Sequence, residues 1–591
     1  MHDMGHHNNN NWNNVQSNWL NAIHTGPGNG GYPVQQGIEE GQFTELPQQS
    51  QQPAVDEVAD VIKQLVAEAD ESLSQGWRNR LSDLLWRYSN LLSVDPFDVG
   101  CIPNMEHVID TGNARPFRQR LRRHPPAHQK IIKEQVDQMY KQGLIRPSMS
   151  PYASNVVLVR KAGDSTGKAW RLCIDHRDLN KQTVVDSYQT ARIDSSLDAL
   201  AGMLWFSSLD IRLAFHNLQI RESDRHKTAF ITDFGCWEMN RLSFGLRNAP
   251  SSWSRCIDFI LSGITPEYCI CYFDDLAVMA RSPEEMLYRL EVVFERLSKY
   301  NLRLKPSKCK FFRTSIDYLG HHVSREGVST QRSKVQAVTE WPECEDSKQV
   351  RRFLGLTGYY RKYIKGYAEI AKPLTDLLSP GVEFKWTEQC RQAMNTLKQA
   401  LVSADILALP RDGYTYHLDV DASDHSIGCV LSQEQPLEQG NSGTPRTKVI
   451  GYASKKLTPA QRNYCVTRRE LLGLVYYLAY YRHLLLGNKV VVRTDHAALV
   501  WLRNVKEPTG QLARWLQIID EFEDLEIQYR AGTANGNADA MSRRPCDKPR
   551  CCKNIDKHIP DEEPYDVNRI GFSKAIAISP QGQQNFYKQN R

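Results

Sequence analysis

What this sequence lacks narrows its reading before any motif is considered. No apolar run approaches the roughly 18 residues that a membrane-spanning helix requires, which argues against a membrane protein. The opening stretch, MHDMGHHNNNNWNN, has neither the basic start nor the apolar core of a signal peptide. The 14 cysteines follow no repeating spacing, which speaks against a disulfide framework and for a reducing compartment. Residues 1 to about 55 are short of apolar side chains and rich in Asn, Gln, Gly and His. With little to bury against the entropy of ordering, they read as disordered. His2, His6 and His7 offer only weak grounds for a metal role. Neither sign of charge dominates. A net +6 over 591 residues, with 41% hydrophobic and 24% charged content, is ordinary for globular protein of three or more domains.

Along the chain, apolar residues recur at helical spacing at Val58, Ile62, Leu65, Val66 and Ala69, and again at Leu81, Leu84, Leu85, Tyr88 and Leu92. Two amphipathic helices are expected there. Asp110-Thr111-Gly112 is the loop tripeptide of aspartic proteases, but a basic run follows it where a protease would need apolar strands. A structural or recognition loop is favoured. In that run Arg115, Arg118, Arg120, Arg122 and Arg123 crowd together, as suits either nucleic acid or a solvated basic face. A helix is expected over 126–147, then the strands VVLVRK and WRLCID around the turn 162–167. Arg160, Lys161, Lys168 and Arg171 ring that hairpin tip, fitting a triphosphate or a solvated turn.

The carboxylates carry the chemistry. Asp274 and Asp275 interrupt the apolar run ICYFDDLAVMA. Adjacent acids in such a run are costly when buried without partner or metal. A hairpin with the pair at its tip is expected. A second apolar strand, WFSSLD, ends at Asp210. Strands that end in carboxylates can bring them together in one sheet. Such an all-oxygen site suits Mg2+ with substrate phosphates, and in-line displacement at phosphorus.

From about Cys101 to Pro545 the chain resembles the reverse transcriptase–ribonuclease H portion of Pol from gypsy-type LTR retrotransposons (Metaviridae). The blocks HVIDTGNARP, SPYASNVVLVRK, WRLCIDHRDLNKQT, FSSLDIRLAFHNLQI, KTAFITDFG, FGLRNAP, CYFDDLAVMA, LKPSKCKFF, YLGHHVS and FLGLTGYYRKYI occur in the family's order. The resemblance implies an α+β right-hand polymerase (fingers, palm and thumb) followed by an α/β ribonuclease H-like domain. Asp210, Asp274 and Asp275 match its palm metal ligands. Lys161 and Arg171 match contacts to the incoming triphosphate. Phe215 matches an aromatic gate against the 2′-hydroxyl, against which stands a plain core phenylalanine. Phe244 to Pro250, including Gly245, matches a nucleotide and template segment, and Leu319, Gly320 and His321 match the primer grip.

In the second half, YTYHLDVDASDHSIGCVLSQ alternates apolar and polar residues around Asp421; a helix carries Glu470, the strand VVVRTDH carries Asp495, and a loop carries Asn535 and Asp539. Asp421, Glu470, Asp495 and Asp539 match the ribonuclease H ligand set, again with two Mg2+ ions implied. The histidine that some relatives place ahead of the last aspartate is missing; counting back ten from Asp539 reaches Tyr529. Cys546, Cys551, Cys552 and His558 fit no zinc spacing. The expected organisation is a disordered 1–55, a helical leader 56–100, fingers and palm 101–345, thumb and connection 346–400, ribonuclease H 401–545, and a linker-like tail 546–591, with no integrase or protease module. The implied function is RNA- and DNA-directed DNA synthesis with degradation of the RNA of the hybrid. The implied partners are RNA template, DNA primer, RNA–DNA hybrid, dNTPs and the element's other Gag and Pol products, with Mg2+ or Mn2+ as cofactor. No membrane is implied, a dimer is compatible, and the setting is cytoplasmic, within virus-like particles. A non-catalytic nucleic-acid-binding copy is disfavoured by the intact carboxylates. A non-LTR or intron-type enzyme is disfavoured by FGLRNAP and YLGH.

Overall fold

The computed structural model describes residues 55–93, 98–160, 170–436, 446–500 and 510–530. The Asn- and Gln-rich start, the hairpin tip with Lys161 and Lys168, the loop with Asn535 and Asp539, and the cysteines after 545 lie outside the described residues.

A four-stranded antiparallel sheet organises the first half. Its order is Lys310–Arg313, Trp205–Asp210, Asp275–Ala280, Cys269–Tyr272. The run Leu276 to Ala280 is continuously apolar because both faces of its strand are covered. Leu276, Val278 and Ala280 enter one core, and Ala277 and Met279 enter another. Each of the larger side chains contributes about 1.5–3 kcal/mol by leaving water. That burial keeps the acidic ends of the sheet in place.

The first core also takes in the helices Val55–Ala67 and Gln75–Arg87, through Ile62, Leu65, Leu81, Leu84 and Leu85. The expected leader is therefore packed onto the palm. The Asp70 amide donates to the Phe312 carbonyl (3.0 Å), and the Thr314 hydroxyl donates to the Asp70 carboxylate (2.7 Å). Helices Ala249–Ile260 and Pro283–Lys299 complete this side. A five-stranded sheet is ordered Ile145–Pro147, Gly235–Met239, Phe230–Thr232, Ser154–Arg160, Trp170–Ile174, within the stretch 101–345 expected to hold fingers and palm. The helix expected over 126–147 ends at Lys141; Gly143 turns the chain at φ 66°, and 145–147 is a strand.

The second core runs from Leu197 to Leu409, between the other palm face, the meander of Ser315–Tyr318, His321–Ser324 and Gly327–Thr330, and the helices up to Val402. Leu407 pairs with Val328 in both directions (2.8 and 2.9 Å). A Cβ on Gly327 would lie 2.2 Å from the Leu407 carbonyl oxygen, so the approach requires glycine. The third core, Tyr416 to Leu525, belongs to a mixed sheet ordered Arg446–Lys456, Ser426–Gln435, Tyr416–Ala422, Val490–Thr494, Leu525–Tyr529. Its first three strands are antiparallel and its last three parallel, with Val466–Tyr480 packed across them. Among the described residues no helix is long and apolar enough to cross a membrane.

Candidate active sites

Asp275 and Asp210 are register partners at the end of adjacent palm strands, and Asp275 also faces Tyr272 across its own hairpin. Asp274 occupies the turn between, its carbonyl accepting from the Ile211 amide at 3.3 Å. The turn needs Phe273 at φ 55°, a conformation that costs a non-glycine residue about 1–2 kcal/mol. Trp253 holds it there, its indole N–H donating to the Phe273 carbonyl at 2.8 Å. Burial, then the Asp210 and Asp275 charges, push the Asp274 carboxyl up to about 7, with Lys308 pulling the other way. Desolvation and Asp210 raise Asp275 as well. The Asp274 Oδ1 is buried with no hydrogen-bond partner among the described residues. Lys308 Nζ bonds the Asp210 carboxylate at 2.7 Å. Burial lowers the Lys308 ammonium, but the bond to Asp210 and the neighbouring carboxylates outweigh it and raise it.

The other residues that the resemblance singles out take these places. Asn217 donates to the carbonyls of Arg212, Leu213 and Ala214 (2.9, 3.2 and 3.2 Å), bracing a turn in which Leu213 has φ 44°. Phe215 follows that turn, 8% exposed, edge-on to Phe244 (5.0 Å) and Trp253 (6.5 Å). Its ring is part of the first core. Gly245 has φ 91°, and its carbonyl accepts from Asn180 at 2.7 Å. Arg171 is exposed on its strand opposite Val159, and its charge reaches His216, whose imidazole is pushed down to about 4, mostly by burial. Leu319 and Gly320 form the turn between Ser315–Tyr318 and His321–Ser324. Asp110 is occupied locally: its carboxylate accepts from the Gly112 amide (2.8 Å) and its carbonyl from Val184 (2.8 Å).

The second centre joins Asp421 on Tyr416–Ala422, Glu470 on Val466–Tyr480 and Asp495 just past Val490–Thr494, with ligand atoms within 4.8 Å of one another. Glu470 is 1% exposed. Burial and then the Asp421 and Asp495 charges push it up to about 8, and its Oε2 has no hydrogen-bond partner among the described residues. Burial and then Asp495 raise Asp421. Tyr529 ends the last strand opposite Thr494, so the position reached by counting back from Asp539 belongs to a strand and not to the loop. Lys161 and Asp539 lie outside the described residues.

Each centre gathers like charges around a buried carboxyl oxygen that has no hydrogen-bond partner among the described residues, an arrangement that fits a hard, oxygen-preferring cation. The sequence assigns no role to Lys308, Trp253, or the pair Lys365 and Glu369, whose charges reach Asp421. His496, to which the sequence assigns no role either, hydrogen-bonds Thr467 at 2.9 Å. Lys308 stands in the block LKPSKCKFF, whose pattern carries the resemblance without giving that lysine a role.

Residues 159–323 match the family model described as reverse transcriptase (RNA-dependent DNA polymerase), and 412–522 that of the RNase H-like domain found in reverse transcriptase. The chain is 35% identical over 475 residues to the retrovirus-related Pol polyprotein from transposon 297 of Drosophila melanogaster, covering 80% of this chain and 44% of that one. It is 35% identical over 429 residues to the Pol polyprotein from transposon gypsy of the same fly, covering 70% and 40%. With the transposon Tf2-3 polyprotein of Schizosaccharomyces pombe it shares 30% over 459 residues, covering 77% and 33%. The chain thus spans less than half the length of these relatives. Among solved structures, the foamy viral protease-reverse transcriptase in complex with double-stranded DNA superimposes with a TM-score of 0.69 at 22% identity, over 80% of this chain and 97% of that one. The same viral protein in complex with RNA/DNA hybrid gives 0.66 at 22%, over 86% and 65%. At that identity the likeness carries the fold, a right-hand polymerase followed by a ribonuclease H-like domain.

Proposed function

We propose, for a chain that belongs to the reverse transcriptase–ribonuclease H family of gypsy-type LTR retrotransposon Pol polyproteins, that it copies retroelement RNA into DNA and degrades the RNA strand of the resulting hybrid. The observation that carries the reading is the pairing of two separate carboxylate centres in one chain, each with an orphaned buried oxygen. Both families use divalent metal, and all-oxygen donors favour Mg2+, with Mn2+ as a substitute. Asp210, Asp274 and Asp275 would hold it in the palm; Asp421, Glu470, Asp495 and Asp539 would hold it in the second centre. Bound there, the metal supplies charge to steady the attacking and leaving oxygens of an in-line displacement.

The protein's own groups do the rest. In the palm, Lys161 and Arg171 neutralise the triphosphate of an incoming dNTP while the primer 3′-hydroxyl attacks its α-phosphorus and pyrophosphate leaves. Phe215 walls the sugar side and disfavours a 2′-hydroxyl. Phe244 and Gly245 line the nucleotide and template segment, and Leu319 with Gly320 meets the primer backbone. In the second centre a water attacks the phosphorus of an RNA phosphodiester, the bond to the upstream ribose 3′-oxygen breaks, and that oxygen leaves as a 3′-hydroxyl while the phosphate stays on the downstream 5′ end. Template RNA, DNA primer, hybrid and dNTPs are the substrates; other Gag and Pol products, a second copy of the chain and a virus-like particle are its setting.

Primer extension and hybrid cleavage on the purified chain with Mg2+ test the division of labour. Asp274→Asn is expected to abolish extension and leave cleavage, and Glu470→Gln to do the reverse. Loss of both activities from either change, in a protein that still melts cooperatively, overturns the two-centre reading. Absence of extension from the unmodified chain on RNA template, beside a working control enzyme, overturns the polymerase half.

A further inference from the structure

The turn Leu319–Gly320 closes a hairpin whose last paired residues are Tyr318 and His321, so it is a two-residue loop, and both of its residues have positive φ, 49° and 79°. Such loops favour Asn or Gly at the first position, because a side chain there crowds its own backbone. A disfavoured backbone persists where the surroundings over-determine it. Two hydroxyls do so here. Tyr359, the last residue of the helix Ser347–Tyr359, donates to the Leu319 carbonyl, and Tyr360 donates to the Gly320 carbonyl at 2.8 Å. The Gln331 amide adds a bond to the Gly320 carbonyl at 3.2 Å. The rings are fixed in turn: Tyr359 and Tyr360 meet edge-to-face at 4.9 Å, and His321 stacks on Tyr359 at 5.2 Å while bonding the Tyr363 hydroxyl at 2.9 Å. Burial raises both phenols, so both stay protonated donors.

In a planar trans peptide the N–H points opposite the preceding C=O. Drawing the Leu319 carbonyl onto Tyr359 therefore aims the Gly320 N–H away from the helix. Neither turn amide has an acceptor among the described residues. Tyr359 also lies within electrostatic reach of Tyr272, which faces Asp275 across the acidic hairpin.

We propose that Tyr359 and Tyr360 are positioning residues that lock the Leu319–Gly320 turn, so that its outward amide is presented to a phosphate of the primer strand beside the palm carboxylates. The proposal rests on the reading of that turn as the primer contact. It gives the paired tyrosines a role in holding the primer strand, apart from nucleotide binding and apart from the second centre.

The test uses the full chain bound to a primer–template, challenged with a heparin trap. Four proteins are compared: unmodified, the double variant Tyr359→Phe/Tyr360→Phe, Gly320→Ala, and Tyr367→Phe. The last removes a hydroxyl that bonds Thr357 (2.9 Å) and Leu354 (3.4 Å) in the same helical segment, away from the turn. The double variant is expected to release primer–template about tenfold faster, with the KM for dNTP within twofold of the unmodified value and a melting midpoint matching that of Tyr367→Phe. Gly320→Ala is expected to release it about as fast, because a methyl there is strained at φ 79° and meets the Tyr360 hydroxyl at 3.1 Å. Retention by the double variant together with fast release by Gly320→Ala overturns the tyrosine proposal and leaves the primer-contact reading standing. Retention by Gly320→Ala overturns the primer-contact reading and the proposal with it. Fast release accompanied by a parallel rise in dNTP KM marks general disruption and also overturns the proposal.

Discussion

Glu470 shows how a single carboxyl stores the tension of its centre. Its folded pKa of about 8 lies above its ordinary 4.5, so the folded chain holds a proton that the unfolded chain gives up within that window. Stability contributed by the protonated form is therefore lost as pH rises through the window, and the penalty is complete above it. In metal-free protein, Glu470→Gln is expected to raise the melting midpoint of the ribonuclease H portion at pH 9, by about 2 kcal/mol in stability, and by much less at pH 5. Adding Mg2+ should stabilise the unmodified protein and not the variant. Calorimetry in EDTA and in Mg2+ at both pH values checks this; a midpoint difference independent of pH would remove the charge from the explanation. Phe215 makes a different point at the same scale. It is 8% exposed, so it serves the core besides the sugar contact proposed for it. Phe215→Val is expected to lower the preference for dNTP over rNTP at least tenfold, read as a ratio of kcat/KM values. Unlike a surface gate, it should also cost stability, on the order of 1–3 kcal/mol from the cavity left beside Phe244 and Trp253. A selective change with no fall in melting midpoint would separate the two roles.

Elements explain why some of this was readable and some was not. The acidic hairpin and the strand ending at Asp210 were legible because an apolar run broken by acids has few stable resolutions, and the register partnership of Asp210 with Asp275 is one of them. The strand, helix and strand that converge on Asp421, Glu470 and Asp495 were legible through matched blocks rather than through periodicity. What holds these pieces was not legible, because it depends on residues distant in sequence. Trp253 reads as one more apolar residue on an amphipathic helix, yet its N–H supports the strained Phe273 turn. The leader helices read as a separate unit, yet their apolar faces are completed only by the palm. Trp253→Phe keeps the ring's burial and removes the donor, at about 1 kcal/mol in stability. Extension is expected to fall roughly tenfold, through displacement of Asp274, while hybrid cleavage stays within twofold. Equal loss of both activities would show that the helix acts on the whole fold and not on this turn.

At the scale of the whole molecule, the third core is joined to the second by more than the connecting chain. The Ala368 amide donates to the Ser454 hydroxyl (2.8 Å), Lys456 pairs with Asp376 (2.5 Å), and the Ala408 amide donates to the Val449 carbonyl (2.7 Å). Val449 and Tyr452 lean on the second core, and the charges of Lys365 and Glu369 reach Asp421. This seam fixes the separation between the two carboxylate centres, and on the proposed function that separation sets where the RNA is cut relative to the primer end. The Lys456–Asp376 pair is partly exposed, so solvent screening limits it to below about 1 kcal/mol. The Ser454 bond is worth about as much. The double variant Ser454→Ala/Lys456→Ala should therefore weaken docking by about 1–2 kcal/mol, a shift of roughly 5- to 30-fold in the docked population. On a hybrid with a fixed primer terminus, cleavage is expected to spread over several neighbouring phosphodiesters, at an unchanged total rate and with unchanged extension. Mapping the RNA fragment lengths checks it. Fragments that stay at one length would mean that the bound hybrid, and not this seam, sets the distance between the two sites.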